Sequence, residues 1–253
     1  FCFCLGSRLS APCKMPAKIV VIEGSDGAGK NTQAKKLVER ASASDYRTVM
    51  FSIPDYSNFF GGTIRDYLDG KFGDFKVFDE AFKEFHEIRV NHPRALGRDN
   101  YDVRGLDKIN DALSAGRDAH IRFSSLLYVL DRTKRLASLR QSIDENDLVV
   151  GDRWDISNWP HQGAKHPEGV DWDWINWLKH AERVELGFPA PNLVMYLSLP
   201  EEHRQAARAI REGIDIHESN AEYQRRVEEM YMKVAQRESF KIINCLREGR
   251  PER

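Results

Sequence analysis

The chain has 253 residues, 41% hydrophobic and 30% charged, a composition that suits one large globular domain or two small ones and excludes disorder, collagen and coiled coil. Its 38 Lys+Arg nearly balance 39 Asp+Glu, giving a formal charge of -1, so no positive field draws it to nucleic acid and no nucleic-acid partner is expected. The longest apolar runs, 19–22 and 193–197, fall far short of the roughly 18 residues of a membrane helix, so no membrane partner is expected either. Cys2, Cys4, Cys13 and Cys245 form neither a disulfide framework nor a zinc pattern, which points to a reducing, cytoplasmic setting.

Residues 1–14 begin without Met, and their apolar piece is too short for a signal-peptide core. They read as a non-native or disordered extension, with Met15 the expected start and 15–253 a single domain; a short extracellular address is the rival reading. Five apolar runs follow in chain order, at 18–23, 48–53, 147–152, 192–199 and 240–245. Their apolarity is continuous rather than alternating, and long helix-like stretches separate them. This predicts an α/β fold in which a five-stranded parallel sheet is wrapped by helices.

Directly after the first run stands Gly24-Ser25-Asp26-Gly27-Ala28-Gly29-Lys30-Asn31-Thr32, followed by a helical pattern from Ala34. Strand, glycine loop, lysine and helix in that order make a phosphate cradle: glycines let backbone N–H groups converge, the helix start adds positive potential, and Lys30 reaches the outer phosphates. The strict pattern asks for Ser or Thr after the lysine, and Asn31 stands there. A glycine turn that merely connects strand to helix is the plain alternative.

Between Gly73 and Phe123 there is no strand signal. Phe78, Ala81, Phe82, Phe85 and Ile88 fall at helical spacing before a break at 93–97, and a second short helix is expected at 106–113, so 74–122 reads as a helical insertion. Tyr128 and Arg132, four apart, predict one shared helix face. Residues 201–218, rich in Arg, read as a short mobile helix and loop.

The phosphate loop resembles that of the P-loop nucleoside monophosphate kinases and, within them, the thymidylate kinases. Three further stretches carry the same resemblance in the same order: Leu126-Leu127-Tyr128-Val129-Leu130-Asp131-Arg132, Asp152-Arg153-Trp154-Asp155-Ile156-Ser157 running on to Gln162-Gly163, and Gly187-Phe188-Pro189-Ala190-Pro191-Asn192-Leu193. The resemblance implies a P-loop kinase that phosphorylates dTMP with ATP and Mg²⁺, acting as a homodimer. It implies that residues 24–32 bind ATP and that Tyr128 stacks on the acceptor base. Arg132 would stand at the base edge, where Asn158 and Gln162 add hydrogen bonds, with Ser157 close by. Arg153 would grip the acceptor phosphate, and Asp26 would contact the acceptor sugar or orient attack. Asn31, Thr32 and Asp152 would hold Mg²⁺, directly or through water. Residues 201–218 resemble a lid, with Arg208 and Arg211 supplying transition-state charge beside Lys30.

Each role has a bland counterpart in the residues alone. Arg153 after a strand suits a surface ion pair, Tyr128 a core position, Arg132 a solvated face, and Asp26 a helix cap. Where many relatives carry an arginine after the second strand, this chain reads Pro54-Asp55-Tyr56, which leaves Arg65 as a substitute if the fold brings it near. His161 takes a place that is usually aromatic, and Ile216 breaks the lid pattern. After the fifth strand the resemblance implies a final helix that is absent before Arg253. The alternatives to a thymidylate kinase are another nucleotide or deoxynucleoside kinase, and a nucleotide-binding regulator without turnover.

Overall fold

The computed structural model describes residues 16–69, 71, 119–165, 171–208, 221–247 and 250–251. Five strands, β1 (Lys18–Gly24), β2 (Thr48–Ser52), β3 (Leu148–Asp152), β4 (Leu193–Ser198) and β5 (Lys241–Asn244), form one sheet in the order β2-β3-β1-β4-β5, every pair parallel. All five predicted strands are present within two residues of their expected ends. The antiparallel pair of Leu246–Arg247 (β6) and Arg250–Pro251 (β7) is an addition that no alternation in the sequence announces. The predicted helices within 74–118, residues 1–14, Arg211 and Ile216 lie outside the described residues.

Neighbouring residues of the central strands bury into opposite faces. Val21 and Val149 join one core cluster with Trp154, Trp159, Leu139, Val227 and Tyr231; Ile22 and Val150 join the other with Ala34 and Leu197. Both faces are therefore covered, which is why these strands read as unbroken apolar runs.

The helices that matter for the site are α1 (Lys30–Ser42), α2 (Phe59–Leu68), α3 (Ala119–Glu145), α4 (Asn158–Gly163), α5 (Trp172–His180), α6 (Glu201–Arg208) and α7 (Ala221–Arg237). β1 pairs with β3 on one side and β4 on the other, with Ile22 level with both Asp152 and Met195. The chain winds in opposite directions from this strand, so a crevice opens at its carboxyl end.

Candidate active site

The loop from β1 to α1 turns on Gly27 and Gly29, with φ of 87° and 84°. At Gly27 a Cβ would also lie 2.9 Å from the Arg204 carbonyl oxygen, so glycine is required there by space as well as by backbone. Gly29 is the N-cap of α1 and gives it no side-chain cap, which leaves first-turn N–H groups to an anion. Asp26 is thus not the cap that its position allowed.

Instead Asp26 holds two cations. Lys30 Nζ lies 3.6 Å from Asp26 Oδ1 and donates to the Ser25 carbonyl oxygen at 3.0 Å, while Arg153 Nη2 pairs with Asp26 directly. Burial opposes ionisation of Asp26, but Arg153 and Lys30 outweigh it and hold the carboxyl well below the usual carboxylate range. Burial, with Arg153 alongside, lowers the Lys30 pKa to about 8.

Arg153 begins the turn after β3 at φ 66°, a left-handed conformation that is strained for a side chain of this size. The backbone around it is pinned. Arg153 N donates to the Ile22 carbonyl oxygen at 3.2 Å, and the next N–H, of Trp154, donates to Glu23 Oε1 at 3.0 Å. Glu23 is wholly buried, and its other oxygen accepts from Ser157 Oγ at 2.6 Å and Tyr231 Oη at 2.9 Å. Burial pushes its pKa up against the pull of Arg153. Glu23 went unremarked in the sequence; its signal was a carboxylate closing an otherwise apolar strand. Ser157 lines the cleft, though its hydroxyl serves this buried carboxylate.

A cleft of about 330 Å³ opens beside these groups, at the carboxyl ends of β1 and β3. Asn31 Nδ2 donates to Asp152 Oδ2 at 2.8 Å on its wall, whereas Thr32 is exposed and does not line it. No group of three or more His, Cys, Asp and Glu able to hold a metal stands among the described residues. A single carboxylate with an amide beside it fits an ion that keeps several waters and is carried on phosphates, which is how Mg²⁺ binds.

Tyr128 and Arg132, one turn apart on α3, both line the same cleft. Arg132 is 2% exposed, so a solvated face is excluded. Its Nη2 donates to Glu182 Oε1 at 2.7 Å and its Nε pairs with Glu182 Oε2, so one edge of the guanidinium is committed to Glu182. Asn158 lines the cleft and donates from Nδ2 to the Ser125 carbonyl oxygen at 3.0 Å. Gln162 stands behind it, 1% exposed and away from the wall, so any effect it has on a base passes through Asn158. His161 lines the cleft with Nε2 3.3 Å from Arg153 Nη1 and Nδ1 3.3 Å from Tyr223 Oη.

Tyr56 and Pro54 complete the wall where an arginine was expected. Arg65 is exposed, packs over the Tyr56 ring at 4.6 Å, and remains outside the lining. On the lid side, Arg204 is buried and bridges Glu201 and Glu228 at 2.7 Å each, tying α6 to α7 with its backbone against Gly27. Arg208 ends α6 with its side chain outside the described residues.

A family model described as Thymidylate kinase matches residues 22–85 and 98–250. The chain is 25% identical over 210 residues to a thymidylate kinase of Homo sapiens, across 82% of this chain and 72% of the relative. It is 29% identical over 234 residues to a probable thymidylate kinase of Thermococcus onnurineus, across 90% of this chain and 89% of the relative. A solved thymidylate kinase from Candida albicans superposes with a TM-score of 0.56 at 17% identity, covering 90% of this chain and 84% of that one, and shares the fold. With the phosphate loop, the arginine turn after β3 and the aromatic wall of α3 all within the matched segments, the chain belongs to the thymidylate kinase family.

Proposed function

We infer that the protein is a kinase that transfers the γ-phosphoryl group of ATP to dTMP, giving ADP and dTDP. The observation that carries this reading is one cleft lined by two unlike groups of residues. Lys30, Asp26 and Arg153 make a charged group, which this reading takes as the phosphate end, and Tyr128, Asn158 and Arg132 a second group, taken as the base end. Phosphoryl transfer needs alignment and charge neutralisation rather than a covalent nucleophile, and the charged group supplies both.

The glycine loop and Lys30 hold the β- and γ-phosphates of ATP. Arg153, fixed by Asp26 and the pinned turn, takes the acceptor phosphate and sets its oxygen in line with the γ-phosphorus. As that oxygen bonds to phosphorus the bond to the ADP oxygen breaks, and the charge spreads over oxygens that face two cations. Mg²⁺, held by Asp152 and Asn31 together with the nucleotide phosphates and water, supplies further neutralisation when bound; Thr32 acts only through water. Arg208 and Arg211 are the lid cations of this reading. Tyr128 stacks on the base and Asn158 reads its edge. A homodimer and a cytoplasmic setting belong to the same reading and rest on the family likeness.

A coupled assay of ADP release with dTMP, dUMP, dCMP, AMP and thymidine tests it. The expected result is turnover highest on dTMP and none on thymidine. Comparable kcat/KM on thymidine assigns the site to a nucleoside kinase, and tight ATP binding with no turnover on any acceptor assigns it to a regulator.

A further inference from the structure

Lys165 does not line the cleft, yet it stands two residues behind it. It lies just past the end of α4, where its Nζ donates to Tyr67 Oη at 2.9 Å, Ser124 Oγ at 3.1 Å and Gln162 Oε1 at 3.0 Å. An ammonium has three hydrogens and no lone pair, so the Gln162 atom that faces it has to be the oxygen. The consequence passes along the chain of amides. Gln162 Nε2 is turned to Asn158 and donates to its Oδ1 at 3.0 Å. Asn158 then turns Nδ2 to the Ser125 carbonyl oxygen at 3.0 Å, an atom that can only accept.

Both amides therefore stand in one orientation, fixed at one end by an obligate donor and at the other by an obligate acceptor. Asn158 and Gln162 are 3% and 1% exposed, so little water competes for these bonds.

Asn158 is the member of this chain that reaches the cleft. Its amide carries two hydrogens and two oxygen lone pairs, and one of each is engaged, so one N–H and one lone pair remain, on fixed sides. The imide edge of thymine sets a donor N3–H beside an acceptor carbonyl. The matching edge of cytosine sets an acceptor nitrogen beside a donor amino group. An amide free to turn over serves both edges; an amide held in one orientation serves one and opposes like to like in the other.

We propose that Lys165 is a positioning residue for base choice: by anchoring Gln162 it locks the Asn158 amide, so that the site accepts a keto pyrimidine and rejects an amino pyrimidine. This rests on the acceptor being a pyrimidine nucleotide as inferred above, and the test keeps the two apart by reading binding and turnover separately.

Titration calorimetry and steady-state kinetics with dTMP and dCMP are compared for wild type, Lys165→Met and Gln162→Glu. Lys165→Met retains much of the side-chain volume and removes the donors. Its preference for dTMP over dCMP falls about tenfold or more, through Kd and KM, while kcat on saturating dTMP stays within about threefold. Gln162→Glu gives Lys165 a carboxylate partner but sets Asn158 between two acceptors, this carboxylate and the Ser125 carbonyl oxygen, so the amide is no longer held in one orientation and the preference for dTMP falls. Should Lys165→Met fail to fold, the ratio in Gln162→Glu decides. An unchanged ratio in the folded variants overturns the proposal. So does an equal loss on both nucleotides, the mark of a lysine that only supports the fold. Wild type that binds dTMP and dCMP alike overturns it outright, whatever its turnover; wild type that prefers dTMP in binding but does not phosphorylate it refutes the reaction, and the ratio in the variants still judges the lysine.

Discussion

The phosphate and base ends of the proposed site hold their arginines in opposite ways. Arg132, at the base end, has a carboxylate of its own: Glu182 takes two of its nitrogens. Arg153, at the phosphate end, shares Asp26 with Lys30, in a turn strained at φ 66°. The first arrangement commits the guanidinium to a carboxylate without a ligand, whereas the second leaves Lys30 and Arg153 lining the cleft, where one phosphate can meet both. Breaking the base end should therefore cost stability, and breaking the phosphate end should cost rate.

The largest effect is expected at Glu182. Glu182→Ala strands the Arg132 guanidinium in the interior, which costs about 3–5 kcal/mol of unfolding free energy. Chemical denaturation measures it, and a loss under about 1 kcal/mol would show that water reaches Arg132. The double variant Arg132→Leu with Glu182→Leu sharpens the point: removing both charges together recovers most of the stability, while dTMP binding, which needs the shape of that wall, does not return.

Lys30→Ala comes next and acts the other way. Turnover falls by a factor on the order of 10² or more, as when a preorganised charge is removed from a transition state. The melting temperature holds or rises, because burial opposes the lysine charge in the free protein. Near-normal kcat in this variant would remove Lys30 from the chemistry.

Arg153→Ala is expected to lower kcat/KM for dTMP roughly thirtyfold, about 2 kcal/mol, the scale of a hydrogen bond to a charged group. The loss divides between KM and kcat, since the same guanidinium binds the acceptor phosphate and aligns it. A change confined to KM for ATP would place Arg153 on the donor instead.

How far each end was legible in the sequence follows from the same difference. The phosphate end is local: Gly24 to Thr32 are contiguous, and Arg153 directly follows the strand level with β1, so order and spacing revealed it. The strands were legible because both sheet faces are covered. The base end is made of distant pairs. Arg132 meets Glu182 fifty residues away, and Gln162 meets Ser124 thirty-eight away; nothing in the local pattern around Glu182 or Lys165 distinguishes a buried partner from an exposed charge. Arg204 was hidden similarly: it sits in an Arg-rich helix, yet its own side chain is buried where it bridges the half-buried Glu201 and Glu228. Asp26 went the other way, offered by position as a cap and turned by the fold toward two cations.

The smallest expected effect is a pH dependence at the phosphate end. The Lys30 pKa is lowered from its ordinary 10.5 to about 8 by burial and by Arg153, and the phosphates of ATP favour the charged ammonium. Above pH 8 the free protein has lost this proton and must regain it on binding, so the apparent ATP affinity falls about tenfold for each further pH unit, up to the pKa of the bound form. For stability the sign is the reverse. Between about pH 8 and 10.5 the unfolded chain holds more protons at this position than the folded one, so the contribution of Lys30 to unfolding free energy rises with pH and is least favourable below pH 8, where the charged group is buried. Calorimetry of ATP in buffers of different ionisation enthalpy counts the protons. Uptake approaching one proton at pH 9 and close to none at pH 7 is expected for wild type, and none at either pH for Lys30→Met. Glu182→Gln, altered only at the base end, should leave the proton count unchanged. If it shifts the count as much as Lys30→Met does, the two ends are one electrostatic unit and the contrast between them fails.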